Sequence, residues 1–180
     1  MGKIKVAKFP FFCQNELEKR KFMGSGGEIG MVGILIVSHG HLAEALVSSA
    51  EVLVGPMEKI KAVSIWPGDK KEEIQERIEK EIKEVDNGEG VIILTDLLGG
   101  TPTNLSLSFL HDRHVAVVTG VNIPMLLALA SYQKQKPLEE IARLVKKAGQ
   151  RSITLAHTIG MPEKKKRWIR WYSFMRKRNE

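Results

Sequence analysis

Short runs rich in apolar residues alternate with segments of helical periodicity along most of the chain. The runs are "MVGILIV" (31–37), "KIKAVSI" (59–65), "GVIILT" (90–95) and "HVAVVTG" (114–120). Runs that are apolar at consecutive positions are typical of strands covered on both faces. Between the second and third runs, Ile74, Ile78, Ile82 and Val85 form one apolar helical stripe. This order predicts an α/β fold with a mainly parallel central sheet, joined by right-handed crossovers that place helices on both faces.

Proline and glycine mark the expected ends of the helices. Thr101 and Pro102 are predicted to open one helix, as its N-cap and its first-turn proline. Pro137 is predicted to open the last helix, which we expect to end at Gly149. After it, "SITLA" (152–156) is predicted to form a fifth and last strand. We therefore expect one domain, at residues 31–157.

The positive charge of the chain lies at its two ends. The net charge is +7, yet residues 1–30 hold six basic and three acidic residues, and residues 163–180 hold eight and two. The remainder is slightly acidic, so the charge of the domain argues against a nucleic-acid partner. No run approaches the roughly 20 apolar residues that span a bilayer. The single cysteine, Cys13, excludes a disulfide framework and a multi-cysteine metal site. We expect a cytoplasmic protein.

Two polar residues stand where apolar runs end. His39 follows the first run, and Asp96 follows the third. Parallel strands bring their carboxyl ends to one rim of the sheet, where ligands of open α/β sheets bind. If the first and third strands are neighbours, the two side chains can touch. A carboxylate that accepts one ring N–H of a histidine fixes its tautomer and leaves the other nitrogen free as a nucleophile.

The turn after Asp96 has the composition of an anion cradle. Gly99 and Gly100 allow the backbone to approach a ligand closely and to present N–H groups, and Thr101 adds a hydroxyl. Together with His39 and Asp96, this turn indicates phosphoryl transfer through a phosphohistidine. Each element alone also fits a structural role: Asp96 as a helix cap, His39 as a turn residue, and the glycines as a plain strand-to-helix turn.

The stretches "GILIVSHGHLAEAL" (33–46) and "TDLLGGTPTN" (95–104) resemble the enzyme IIA domains of the mannose/fructose/sorbose family of the bacterial sugar phosphotransferase system. The resemblance covers residues 31 to about 157. It implies a mainly parallel sheet of about five strands with one antiparallel edge strand. It also implies a homodimer, to whose interface the C-terminal strand contributes.

The resemblance also implies site roles. His39 would take a phosphoryl group from the phosphocarrier protein HPr and pass it to an enzyme IIB component, with no cofactor and no metal. Asp96 would orient the ring, and Gly99, Gly100 and Thr101 would face the phosphate. Ser38 and Asn104 are supporting positions: Ser38 as a helix cap, Asn104 as a brace of the turn. The membrane sugar permease components would be reached only indirectly. The other four histidines, His41, His111, His114 and His157, match no functional position.

Both ends of the chain depart from this family. Residues 1–30 form an extension that we expect to be disordered or not native. Gly26, Gly27 and Glu28 can be encoded by codons that together resemble a ribosome-binding sequence, so we expect Met31 to be the natural start. Residues 158–180 form a basic tail, either a docking element or an incidental one.

Two other functions fit the same motifs. One is a regulatory phosphohistidine module that signals by binding a partner. The other is the phosphotransfer subunit of dihydroxyacetone kinase, although its second motif differs from Gly-Gly-Thr-Pro.

Overall fold

The computed structural model of the chain describes residues 30–111 and 114–155. The predicted extension at 1–30, apart from Gly30, and the predicted tail at 158–180 lie outside the described residues. In chain order the elements are β1 (Gly33–His39), α1 (Leu42–Val54), β2 (Ile60–Ile65), α2 (Lys71–Val85), β3 (Val91–Thr95), α3 (Thr101–Leu107), a 3₁₀ turn (Ser108–Leu110), β4 (Val115–Thr119), α4 (Ile123–Tyr132) and α5 (Leu138–Ser152).

The four strands pair in the order β2-β1-β3-β4, and every pairing is parallel. Successive residues of β1 point to opposite faces of the sheet. Ile34 and Ile36 pack with residues of α1, α4 and α5, whereas Leu35 and Val37 pack with α2 and with Phe109. Both faces of the sheet are therefore covered, which explains why the central strands β1 and β3 are apolar at consecutive positions.

The described residues show part of the predicted sheet. Within the described ranges the sheet has four strands, and the fifth strand and the antiparallel edge strand are not shown. Ser152 belongs to α5, and residues 153–155 have no regular structure. Ile153 and Leu155 are exposed. A strand forms only where it pairs with a neighbour, so local sequence preference alone does not determine whether a segment becomes one.

Helix α5 passes through Gly149, the residue at which the sequence predicted its end. A Cβ atom at Gly149 would lie 2.8 Å from the Cγ and Sδ atoms of Met125 on α4. The glycine therefore allows α5 to approach α4 closely, and it does not stop the helix. The prediction that Thr101 is the N-cap of α3 was wrong by one residue, because Gly100 is the N-cap and Thr101 is the first residue of the helix.

One buried side chain joins the start of β1 to the loop before β2. Gln133, which follows α4, donates from Nε2 to the carbonyl oxygens of Val32 at 2.8 Å and Glu58 at 3.0 Å. The backbone of Gln133 also accepts the N–H of Val32 at 3.2 Å. Buried polar groups are costly unless they are paired, so this amide stabilises the connection between three separate segments.

Candidate functional site

The adjacency of β1 and β3 brings His39 and Asp96 together at the carboxyl rim of the sheet. Val37 pairs with Thr95 across the two strands, so the residues that follow are also neighbours. One carboxylate oxygen of Asp96, Oδ2, accepts the backbone N–H of His39 at 2.9 Å. The same oxygen lies 2.8 Å from Nδ1 of the His39 ring. The contact between His39 and Asp96, which we expected only if β1 and β3 were neighbours, is thus present.

The geometry assigns the tautomer of His39. An ionised carboxylate can only accept hydrogen bonds, so Nδ1 carries the proton and Nε2 keeps its lone pair. The His39 side chain is 50% exposed, whereas that of Asp96 is 13% exposed. Nε2 is therefore the ring nitrogen available to an incoming electrophile, and the carboxylate behind it is largely withdrawn from solvent.

The same hydrogen bonds keep Asp96 ionised. Burial raises the pKa of its carboxyl group, but the bonds from the N–H and ring of His39 and from the N–H of Leu97 together lower it by more. The Leu97 N–H donates to the second oxygen, Oδ1, at 2.8 Å. The pKa of Asp96 consequently lies below its ordinary value of 3.8, and the group is an anion at neutral pH.

The glycine turn lies against the His39 ring. A Cβ atom at Gly100 would stand 3.2 Å from Cε1 of His39 and 3.3 Å from the carbonyl oxygen of Leu97, so the close approach depends on glycine. Gly99 has a φ of +82°, which favours glycine as well. Within residues 30–111 and 114–155, the N–H groups of Leu98, Gly99 and Thr101 have no protein acceptor. The turn therefore offers free donors beside the ring.

Two side chains stabilise this turn. Asn104 donates from Nδ2 to the carbonyl oxygen of Gly99 at 3.1 Å. Thr103 donates its hydroxyl to the carbonyl oxygen of Leu97 at 2.7 Å, and its Oγ1 lies 2.7 Å from Oγ1 of Thr95. Since the Thr103 proton is already used, Thr95 is the donor of that second bond. Thr103 was missed from the sequence, although its place in "GGTPTN" was the available signal.

Ser38 is fully buried and its Oγ donates to the carbonyl oxygen of His39 at 3.4 Å. The expected role of Ser38 as a helix cap was wrong, because His41 is the N-cap of α1 and no side chain caps that helix. His41 and His111 are exposed, and His114 pairs with Glu139 at 3.2 Å, away from the rim. His157 lies outside the described residues. Among the described residues no group of acidic, histidine or cysteine side chains fits a metal ion.

An exposed imidazole, oriented by an ionised carboxylate beside free amide donors, defines an α/β protein with a candidate nucleophilic histidine next to an anion-binding turn. Residues 33–146 match the family EIIA-man, described as the PTS system fructose IIA component. Because this match spans more than half of the chain, the chain belongs to that family, whose members are phosphotransferases. The family expected from the two sequence motifs is confirmed.

Individual relatives agree with the family. The PTS system mannose-specific EIIAB component of Escherichia coli (strain K12) is 32% identical over 124 residues, which are 68% of this chain and 38% of that protein. The chain thus spans less than half the length of that relative. The PTS system fructose-specific EIIA component of Bacillus subtilis (strain 168) is 29% identical over 124 residues and is covered to 85%.

A solved structure shows the same fold. The mannose/sorbose-specific IIA subunit of the phosphotransferase system from Enterococcus faecalis aligns with a TM-score of 0.65 at 28% identity. The alignment covers 74% of this chain and 98% of the subunit. These relatives do not favour the dihydroxyacetone kinase alternative.

No helix in the described part of the chain has the length and apolar character that a membrane crossing requires.

Proposed function

We propose that this chain is the phosphocarrier of a sugar phosphotransferase system, and that Nε2 of His39 is the atom that carries the phosphoryl group. The lone pair of Nε2 attacks the phosphorus of phosphorylated HPr. The phosphorus–nitrogen bond of the donor then breaks, and the donor ring keeps that electron pair. The observation that carries this proposal is the 2.8 Å contact of Nδ1 with Asp96, which leaves Nε2 as the open nitrogen.

Asp96 orients the ring and stabilises the charge that develops on it. When Nε2 binds phosphorus while Nδ1 keeps its proton, the ring gains positive charge. An ionised carboxylate at hydrogen-bond distance from Nδ1 offsets that charge, and it is in place before the donor arrives. The low pKa of Asp96 keeps the carboxylate ionised at neutral pH.

The free donors of the glycine turn are suited to the phosphoryl oxygens. The N–H groups of Leu98, Gly99 and Thr101 lie in the turn that contacts the ring, and Thr101 adds its hydroxyl. Preorganised donors of this kind stabilise charge without reorganising during the reaction. Asn104 serves this role indirectly, because it fixes the Gly99 carbonyl and so the shape of the turn.

The phosphoryl group then passes from His39 to an enzyme IIB component, and the membrane permease components are reached through that component. Sugar identity is set outside this chain, since His39 meets only phosphate and protein. We place the protein in the cytoplasm, and residues 31–157 are its working unit.

Labelling with phosphorylated HPr tests this function. Wild-type protein should acquire an acid-labile phosphate that maps to His39, and His39→Ala should acquire none. His114→Ala is the matched control, because His114 is 52% exposed and also lies beside a carboxylate, but at the opposite end of the sheet. Absence of label on the wild type, or full labelling of His39→Ala, would reject the proposal.

We also propose that the chain forms a homodimer through its C-terminal segment. Among residues 30–111 and 114–155, strand β4 pairs with β3 alone, so its other edge has no partner strand within these ranges. The exposed apolar residues Ile153 and Leu155 follow α5 closely in the chain. An open edge and an exposed apolar segment favour pairing between two copies as an added strand. Light scattering should give a dimer mass for the wild type and a smaller mass for Ile153→Asp/Leu155→Asp; a monomeric wild type would refute the dimer.

A further inference from the structure

Three large apolar side chains flank His39 and remain open to solvent. Trp66 follows β2, and Leu97 and Leu98 follow β3. Because β2 and β3 are the two neighbours of β1, Trp66 lies on one side of His39 and the two leucines on the other. Trp66 is 43% exposed and Leu97 60% exposed. We call these three residues the apolar collar. Clustered exposed apolar side chains mark surfaces that bind other molecules.

Trp66 is held in position by residues of α2 and of its own loop. Its backbone N–H donates to Oδ2 of Asp69 at 3.1 Å. The guanidinium of Arg77 donates from Nη2 to the same oxygen at 2.6 Å and from Nη1 to the carbonyl oxygen of Ser64 at 3.1 Å. The ring of His41 meets the indole edge-on, with centroids 4.8 Å apart. An aromatic side chain on a fixed loop loses little conformational entropy when a partner covers it.

The carboxylates around the collar are already bonded within the chain. Asp69 pairs with Arg77, and Asp96 pairs with His39. Both carboxylate oxygens of Glu44 lie within 2.7 Å of the Ser64 hydroxyl. Burying a carboxylate that lacks hydrogen bonds is costly, so carboxylates that are already hydrogen-bonded oppose the docking of an apolar partner surface less.

We propose that the apolar collar is the docking surface for the phosphoryl-donor protein, with Trp66 as its anchor. This inference rests on the proposed function. Reacting atoms must come within about 3–3.5 Å of each other, so a donor that presents a phosphohistidine to Nε2 has to cover the surface on both sides of His39. The collar is that surface, and aromatic residues are enriched among the anchors of protein interfaces.

The kinetic test measures the initial rate of His39 phosphorylation against the concentration of phosphorylated HPr. Trp66→Ala should raise KM about tenfold or more while kcat changes by less than about twofold, because it removes binding energy common to the ground and transition states. Trp66→Phe should recover most of the loss. Arg77→Met should raise KM by a smaller factor, since it frees the loop and keeps the indole.

The matched control is a pair of leucines. Leu97→Ala in the collar should raise KM, whereas Leu53→Ala should leave KM unchanged. Leu53 is 62% exposed, close to the value for Leu97, but it lies near the far end of α1. An unchanged KM in Trp66→Ala, a loss confined to kcat, or an effect seen only on transfer to enzyme IIB would each overturn the proposal.

A binding measurement separates this inference from the proposed function. Calorimetry with phosphorylated HPr and the His39→Ala variant measures docking without transfer, and adding Trp66→Ala should weaken that binding about tenfold or more. If the wild type is labelled and Trp66→Ala leaves the Kd unchanged, only the docking surface is refuted. Binding that depends on Trp66 without labelling of the wild type supports the docking surface and refutes only the phosphocarrier function.

Discussion

Replacing Asp96 by asparagine should slow phosphoryl transfer and preserve the fold. Oδ2 of Asp96 accepts two hydrogen bonds from His39, and Oδ1 accepts one from Leu97. An amide of the same shape has only one oxygen, so it cannot accept at both positions, and it carries no charge to offset the imidazolium that develops. The change therefore removes the charged partner of Nδ1. It also places the amide NH₂ group against an N–H donor of His39 or Leu97, and two donors cannot hydrogen-bond to each other.

The expected magnitude follows from the bond to Nδ1. A hydrogen bond to a charged group is worth about 1.5–3 kcal/mol. If that energy is lost in the transition state, the rate falls by about 10- to 150-fold, since each 1.36 kcal/mol is a factor of about ten. Only part of this energy is present before the transfer, so the effect should appear in the rate at saturating donor and less in KM.

A quenched-flow, single-turnover assay with saturating phosphorylated HPr measures this rate directly. Circular dichroism and thermal unfolding of Asp96→Asn verify that the fold persists. Glu139→Gln is the matched control, because it makes the same chemical change in the carboxylate beside His114, away from the rim. A wild-type transfer rate in Asp96→Asn would refute the role of the carboxylate, as would an equal slowing in Glu139→Gln.

Three further predictions concern the turn, the pH dependence and the buried amide. Gly100→Ala places a Cβ atom 3.2 Å from the His39 ring. Because a misplacement of about 1 Å costs about 100-fold, a shift of a few tenths should slow transfer about three- to tenfold in the same assay; an unchanged rate would contradict it. The pKa of Asp96 lies below its ordinary value of 3.8, so its stabilising effect is complete above that pH and is lost as the pH falls through the lower value of the folded state. Urea unfolding should therefore show that the difference in free energy of unfolding between wild type and Asp96→Asn decreases below pH 3.8. A difference that increases there would contradict the lowered pKa of Asp96. Gln133→Leu leaves the carbonyl groups of Val32, in a buried bond, and of Glu58, in a partly buried one, without the Nε2 donor, so it should lower the free energy of unfolding by about 1–3 kcal/mol; an unchanged urea midpoint would show that the Gln133 side chain does not stabilise the fold.

The strands were predictable because both faces of this sheet are covered. Burial on two sides requires apolar residues at consecutive positions, and that pattern is visible without knowing the partners of a strand. The meeting of His39 with Asp96 was predictable only conditionally. The sequence places each residue at the end of a strand, but the adjacency of β1 and β3 depends on the strand order of the whole sheet.

The features that the sequence did not reveal are set by contacts between distant segments. Gly149 looks like a helix stop, and only its contact with Met125 shows that it serves close packing. The predicted strand at 152–156 has suitable residues, but pairing requires an edge that local preference cannot locate. In the sequence Trp66 looks like an ordinary loop residue. Its position depends on Asp69, which accepts its N–H, and on Arg77 of α2, which donates to the same carboxylate oxygen.

Oδ2 of Asp96 accepts hydrogen bonds from both the backbone N–H and the ring of His39, and this arrangement bears on the direction of phosphoryl transfer. In the proposed cycle the ring keeps its proton on Nδ1 both before and after it is loaded, so the hydrogen-bond partners of His39 need not change. Since these partners need not change, the phosphorylated and unphosphorylated forms should differ little in shape, and His39 can both accept and release the group without a conformational step. In the proposed cycle, the relative amounts of phosphorylated donor and unphosphorylated acceptor therefore contribute to the direction of net transfer, and the carrier step is reversible.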